Sequence, residues 1–271
     1  MSTPHALPLP RWVDTLRTTL THNLKENKDL VSYALASSDV ASNQPRTRYV
    51  VHRGFANERR NAGDGSRNLV HDDDGNELIS DKLVVTTDGR SPKAAQLAAS
   101  PAVELAWWLS ATQHQFRIAG KAYLLPSPSF SSSSSSSTSS SSPSSSAVPF
   151  PPFPGDKLAP YPGFSWEDER IRQFRKLSAE LRASFCRPVP GTKLSEWGGK
   201  LEELPQELPE GLDEATGDDE QKKQIEQALE HFVLIVIDPE EVDLVDLGST
   251  PNTRTQWKLT GGKWSEAAVV P

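Results

Sequence analysis

A mainly antiparallel β-barrel with helices packed on its outside is the fold class this sequence predicts. Three observations lead there. Segments of β-branched or alternating apolar character recur at short spacing, from Val31–Ala36 near one end to Trp264–Val270 at the other. Few helical segments separate them, which argues against a doubly wound parallel sheet. The longest apolar run, Phe232 to Ile237, has the length of a strand and falls well short of a membrane span.

The elements follow in order. Trp12, Leu16, Leu20 and Leu24 recur every four residues and predict an amphipathic helix. Val31 to Ala36 and Arg48 to Phe55 read as strands. Asp74-Gly75 lies in a polar cluster and predicts a hairpin turn. Leu83 to Thr87 is β-branched and predicts a buried strand, and Ala94 to Ala99 a short helix. Val103 to Leu109 and Gln115 to Leu125 form a strand pair across the polar turn 110–113. Ser165 and Asp168 have the spacing of a helix start, and the helix is expected to reach about Phe185. A further helix spans Gln221 to Glu230. Phe232–Ile237, Val242–Leu247, Thr255–Leu259 and Trp264–Val270 close the chain as strands.

Two stretches break the pattern. Fifteen of the eighteen residues from Ser129 to Ser146 are serine, and six prolines follow between Pro149 and Pro162. Serine tracts bury little apolar surface, so 127–163 is expected to be a disordered insertion within one domain made of 1–126 and 164–271. Replacing 127–160 by a short Gly/Ser linker is expected to leave melting temperature and ligand binding nearly unchanged. Between Leu201 and Gln221 there are nine acidic residues and no Lys or Arg, which predicts a solvated acidic loop at 201–221.

Composition narrows the function. The 271 residues carry a net charge of -7. Outside the acidic loop, 29 basic residues face 27 acidic ones. A nearly neutral body weighs against a nucleic-acid or membrane binder. One cysteine, Cys186, excludes an internal disulfide framework and a Cys-rich zinc site. Cys186 lies beside Arg182 and Arg187 but lacks a partner in sequence for catalysis, and reads as an ordinary buried thiol. His71-Asp72-Asp73-Asp74 lacks the spacing of a calcium loop and reads as a solvated tip; no metal site is expected. The start Met-Ser-Thr-Pro has no basic-then-apolar leader, so a cytoplasmic protein is expected.

The chemistry concentrates in two places. In Val84 to Gln96 a buried strand ends at Thr87, Gly89 gives the turn its freedom, Ser91 is placed to cap a helix and Pro92 suits its first position. Arg90 and Lys93 add charge where the helix start exposes N–H groups. This pattern suits a phosphate cradle, and it equally suits an ordinary capped helix with two surface cations. The second place is Arg48-Tyr-Val-Val-His-Arg53. Its arginines are five apart and face opposite sides of a regular strand unless the strand bulges or twists. They read either as solvated arginines on an edge strand or as two guanidiniums offered to an anion. In Trp107-Trp108, one ring is expected in the core and the other at an interface.

In order along the chain, Arg48 to Arg53, Thr86 to Gln96, Gln115-Phe-Arg-Ile-Ala-Gly120 and Trp264 to Pro271 resemble the FMN-binding split barrel of the pyridoxamine 5′-phosphate oxidase family, in its divergent oxidase-like branch. The resemblance covers about 31–126 and 231–271. It implies an α+β split barrel with peripheral helices that binds FMN and forms a homodimer, with the site between the two barrels. It further implies that Arg48 and Lys93 hold the FMN phosphate beside Ser91 and the neighbouring Arg90, and that Thr86 and Thr87 line the ribityl chain and ring edge. Tyr49 and Val50 lie in the same strand core. Arg53 would sit near the reactive part of the flavin, Gln115 would bond to the cofactor, and Arg254 would reach the ring. Pro92 stands where the oxidase usually has Arg, and no histidine accompanies Arg254, so the flavin half of the family's pattern is fuller than the vitamin half. An FMN-dependent oxidoreductase acting on a small molecule is the expected function. The alternative is a flavin- or phosphate-binding module without turnover. A nucleic-acid-binding barrel has only the basic stretch Arg48–Arg67 in its favour.

Overall fold

In a computed structural model, residues 9–59, 72, 74–75, 77–133, 149–211 and 219–271 are described. Eight strands form one sheet in the order β2-β1-β4-β5-β6-β7-β8, with β3 paired to β6. They are β1 (Ser32–Asp39), β2 (Gln44–Val51), β3 (Leu83–Asp88), β4 (Ala102–Leu109), β5 (His114–Leu125), β6 (Phe232–Asp246), β7 (Thr253–Thr260) and β8 (Lys263–Val269). Every pairing is antiparallel. The helices are α1 (Arg11–Glu26), α2 (Pro92–Ala99), α3 (Pro128–Ser133), α4 (Gly155–Leu158), α5 (Trp166–Arg175), α6 (Ala179–Ser184), α7 (Leu194–Trp197) and α8 (Asp219–His231). Among the described residues, no helix is long and apolar enough to cross a membrane.

The four-residue stripe of α1 packs Trp12, Leu16 and Leu20 onto the inner face of the sheet, against Leu35, Leu105, Trp107 and Phe116. Each such buried side chain contributes about 1.5–3 kcal/mol. Along β4 buried and exposed residues alternate without a break, as expected for a strand with one covered face. Trp107 is buried and donates from Nε1 to Leu30 O at 2.7 Å, while Trp108 is exposed on the opposite face.

The apolar run Phe232–Ile237 has a different cause. Val233, Ile235 and Ile237 enter the main core, whereas Leu234 and Val236 enter a second cluster with Leu158 and Trp166 on the other face. Phe232 joins a third cluster with Phe174, Phe185 and Ile225. Both faces are covered, so both must be apolar.

Several expectations are corrected. Phe232–Ile237 and Val242–Leu247 are one strand, β6, that runs through Asp238 and Pro239. A register shift between Ala119 and Gly120 of β5 accommodates the passage, with Gly120 opposite Pro239. The helix expected from Ser165 to Phe185 is two helices, each capped by a serine: Ser165 Oγ accepts from Asp168 N and Ser178 Oγ from Leu181 N. Asp74-Gly75 is a turn, with Gly75 N–H donating to Asp72 O at 3.0 Å; the two segments it was expected to join meet at the antiparallel bridge Phe55–Leu83, but the connection between them is much longer than a tight hairpin, and β3 takes β6 as its strand partner.

The expected insertion 127–163 is structured at both ends. Phe130 is buried and stacks on Phe150, Leu158 is fully buried, and Phe153 packs on Trp166. Its middle, 134–148, lies outside the described residues. In the expected acidic loop, Leu208 is buried and its amide donates to Ala179 O at 3.1 Å, which anchors that part to α6. Residues 212–218 lie outside the described residues, as do His71 and Asp73.

Candidate functional site

β2 ends at Val51, two residues before Arg53. The chain then turns through Gly54, whose φ of 113° belongs to the left-handed side that glycine tolerates. Arg53 N–H donates to Val84 O at 2.9 Å, and Val84 N–H returns to Gly54 O at 2.9 Å. Residue 53 is therefore laid across β3, and the strand parity that would have separated Arg53 from Arg48 does not apply.

The turn after β3 leads into α2. Ser91 caps the helix by accepting from Ala94 N at 3.3 Å, with Pro92 in the first turn, and its hydroxyl lies 3.1 Å from Thr87 Oγ1. These elements open onto a cleft of about 700 Å³ lined by Arg48, Tyr49, Val50, Arg53, Thr86, Thr87, Ser91 and Lys93, with Asp88 at one side. Eight of the eleven residues expected at the site thus share one cavity.

The electrostatics are one-sided. Arg48 donates from Nη1 to Ser37 Oγ and from Nη2 to Gln96 Oε1, both at 2.6 Å; these acceptors are neutral and leave its charge uncompensated. Burial, and then the repulsion of Arg46, lower its pKa. Arg53 is half-buried, burial lowers its pKa, and its Nε has no hydrogen-bond partner. Lys93 is half-buried and forms no ion pair or hydrogen bond among the described residues. Burial first, and the nearby Arg48 second, lower its pKa from 10.5 to about 8. Among the described residues Asp88 is the only carboxylate on the lining, and it is held by Arg90 at 2.6 Å.

Three expected residues stand elsewhere. Arg90 is not on the lining; its guanidinium is held by Asp88 at the side of the cleft. Gln115 and Arg254 lie on the outward face of the sheet. Gln115 lines a groove of about 620 Å³ with Tyr33, Tyr49 and Trp108. Arg254 binds Asp243 at 2.6 Å, and Asp243 also accepts from Arg117 at 2.7 Å and Gln256 at 3.0 Å. Burial alone would raise the pKa of Asp243, but the bonds from Arg254, Gln256 and Arg117 reverse this and bring it from 3.8 to about 2. Because the folded state holds this proton more weakly than the unfolded one, the stabilisation is present above about pH 4 and lost as pH falls toward 2. Asp243→Asn is expected to destabilise the protein by about 2 kcal/mol at neutral pH and to flatten the acid limb of its stability profile. Urea melts from pH 7 to about pH 2.5 measure both effects.

One wall of the cleft had no signal in the sequence. Leu181, Ser184, Phe185, Arg187, Pro188 and Pro190 come from α6 and the segment after it. The only local cue was that Arg187 and Pro188 follow a predicted helix. Cys186, behind this wall, is buried; its pKa is pushed up to about 11 by burial, and its thiol donates to Gln224 O at 3.2 Å. It has no features of a nucleophile. No group of three or more metal-ligating side chains occurs among the described residues.

Residues 9–126 match the family model described as pyridoxamine 5′-phosphate oxidase, FMN-binding domain. Among solved structures, the chain is similar to a pyridoxamine 5′-phosphate oxidase-related, FMN-binding protein from Nostoc punctiforme PCC 73102. That match has 21% identity and a TM-score of 0.60, covering 98% of this chain and 100% of the other. It is also similar to PhzG from Burkholderia lata 383, solved with tetrahydrophenazine-1-carboxylic acid, at 12% identity and a TM-score of 0.53, covering 98% and 99%. At these identities the structural matches establish the split-barrel fold. A search of curated proteins finds no match.

Proposed function

We propose that this chain, whose residues 9–126 resemble the FMN-binding domain of pyridoxamine 5′-phosphate oxidase, binds FMN in the cleft between β2, β3 and α2 and serves as an FMN-dependent oxidoreductase for a small molecule. The observation that carries the reading is the donor set. Lys93 and Arg53 are half-buried cations without a carboxylate partner among the described residues, Arg53 Nε is orphaned, and the Thr87 and Ser91 hydroxyls lie 3.1 Å apart on the same lining. Such a set suits a phosphate dianion, which can accept several charge-assisted hydrogen bonds at once. Lys93 and Arg48 would take the phosphate, with Ser91 and Thr87 beside it. Thr86, Tyr49 and Val50 would flank the remainder of the cofactor, and Arg53 would place a fixed positive charge near it. Bound FMN would supply two-electron redox chemistry; the protein's part is to seat and orient it.

A second reading, a flavin-binding module without turnover, has its own support. Among the described residues no histidine lines the cleft, and the one carboxylate on its lining is committed to Arg90. The protein would then lack an obvious group for moving a substrate proton at neutral pH.

The homodimer belongs to the same proposal. Tyr49, Val51 and Trp108 are exposed, and their strand pairings place them on one outward face of the sheet. Light scattering that reports a flavin-loaded monomer would exclude it.

Flavin absorbance in freshly purified protein, followed by titration of the stripped protein with FMN and with riboflavin, tests the cofactor reading. Arg48→Ala is expected to weaken FMN about ten- to hundredfold and riboflavin, which lacks the phosphate, much less. Equal affinity of the wild-type protein for the two flavins overturns the phosphate site. Reduction of bound flavin by candidate amines under anaerobic conditions separates the oxidoreductase from the module.

A further inference from the structure

Arg90 joins two parts of the cleft that are far apart in sequence. Its Nε and Nη2 are held by Asp88 at 3.0 and 2.6 Å. The same Nη2 donates to the carbonyl oxygens of Phe185 at 3.2 Å and Arg187 at 3.0 Å. The β3–α2 turn is thereby tied to the wall that supplies Leu181, Ser184 and Arg187 to the lining. A second tie runs parallel: Gly89 N–H donates to His231 O at 2.8 Å, and His231 Nδ1 is hydrogen-bonded to Phe185 O at 2.8 Å.

The wall is held unevenly. At its near end, Phe185 is buried against Phe174 and Phe232. Beyond it, Arg187, Val189 and Pro190 are exposed. For the far end, the Arg90 bond to Arg187 O is a tie to the cleft that the aromatic cluster does not provide. Arg90 has a second effect. It neutralises Asp88, the one carboxylate among the described lining residues that would otherwise oppose an anion in the cleft.

We infer that the Asp88–Arg90 pair is a latch, and that Arg90 is a positioning residue that holds the 181–190 wall against the cleft and sets how fast an anionic ligand leaves it. The ligand part of this inference rests on the flavin reading; the latch itself does not. A planar guanidinium can serve a carboxylate and two carbonyls together, whereas an ammonium at the same place keeps the ion pair but loses the fork.

Hydrogen exchange on the ligand-free protein tests the latch. The amides of Phe185, Cys186 and Arg187 are bonded to Arg182 O, Ala183 O and Ser184 O and report opening of the wall. In both Arg90→Lys and Arg90→Met they are expected to exchange about tenfold faster, with amides of β5 and β6 unchanged. FMN should also dissociate about tenfold faster from the variants. Unchanged exchange at 185–187, or a rise spread evenly over the sheet, overturns the latch. If the wild-type protein takes up no FMN, the flavin reading falls and exchange alone decides the latch. FMN dissociation that is unchanged while the wall opens overturns the control of release. Should the Arg90 variants not fold, Asp88→Asn, which weakens the grip on Arg90 without removing a side chain, is expected to give the same localised increase, and its absence counts against the latch.

Discussion

Lys93→Met is expected to weaken FMN binding about ten- to hundredfold and, at the same time, to raise the melting temperature of the ligand-free protein. The two effects share one cause. Burial, and then Arg48, lower the Lys93 pKa from 10.5 to about 8, so the folded chain holds this proton less willingly than the unfolded chain does. Below pH 8 both states are protonated and the folded state bears the full penalty. Between about pH 8 and 10.5 the folded state releases its proton first, and stability rises. A phosphate reverses the preference, because it needs the ammonium. FMN affinity of the wild-type protein should therefore fall as pH rises through about 8, over the same range in which the ligand-free fold gains stability. Methionine keeps much of the side-chain volume and removes both slopes. Fluorescence titrations and thermal melts between about pH 7 and 9.5 are the measurement. Affinity that stays flat in the wild-type protein over that range would falsify the assignment of Lys93 to the phosphate.

Gly120→Ala is expected to destabilise the protein by about 3 kcal/mol, read as a lower urea midpoint. A Cβ at position 120 would lie 2.2 Å from Asp238 O and 2.9 Å from Pro239 Cα. Both are main-chain atoms of the neighbouring strand, so no side-chain rotation relieves the clash. The glycine is needed for space at the bulge where Pro239 interrupts the ladder. A loss below about 1 kcal/mol would mean that β5 and β6 separate easily at this point.

The pattern of exposed and covered faces made most of the sheet legible. β4 alternates residue by residue, and α1 repeats every four, so each announces its own geometry. The reading failed where the determining contact was remote. Asp238-Pro239 looks like a break, and only Gly120 across the ladder lets β6 continue through it. Phe153 and Leu158 sit in a proline-rich stretch that lacks periodicity, and they fold because Trp166 and β6 offer a cluster to enter. At the site, Arg48, Thr87, Ser91 and Lys93 were legible because they flank short elements whose caps and turns are local. The 181–190 wall was not, because it reaches the cleft through tertiary docking of α6. The bonds of Arg90 were hidden for the same reason: its carbonyl partners are 95 and 97 residues away.

The length of β6 has a consequence for synthesis. This one strand pairs with β5 along its course, with β3 over its first half and with β7 over its second. Leu83 must wait for Ile237, about 150 residues later, which makes the contact order of this barrel high and its assembly slow. On the ribosome, the segment 9–126 emerges with the β6-facing edges of β3 and β5 bare, a surface that invites pairing with other chains. The nascent chain is therefore most exposed to aggregation, and most in need of a chaperone, until β6 emerges.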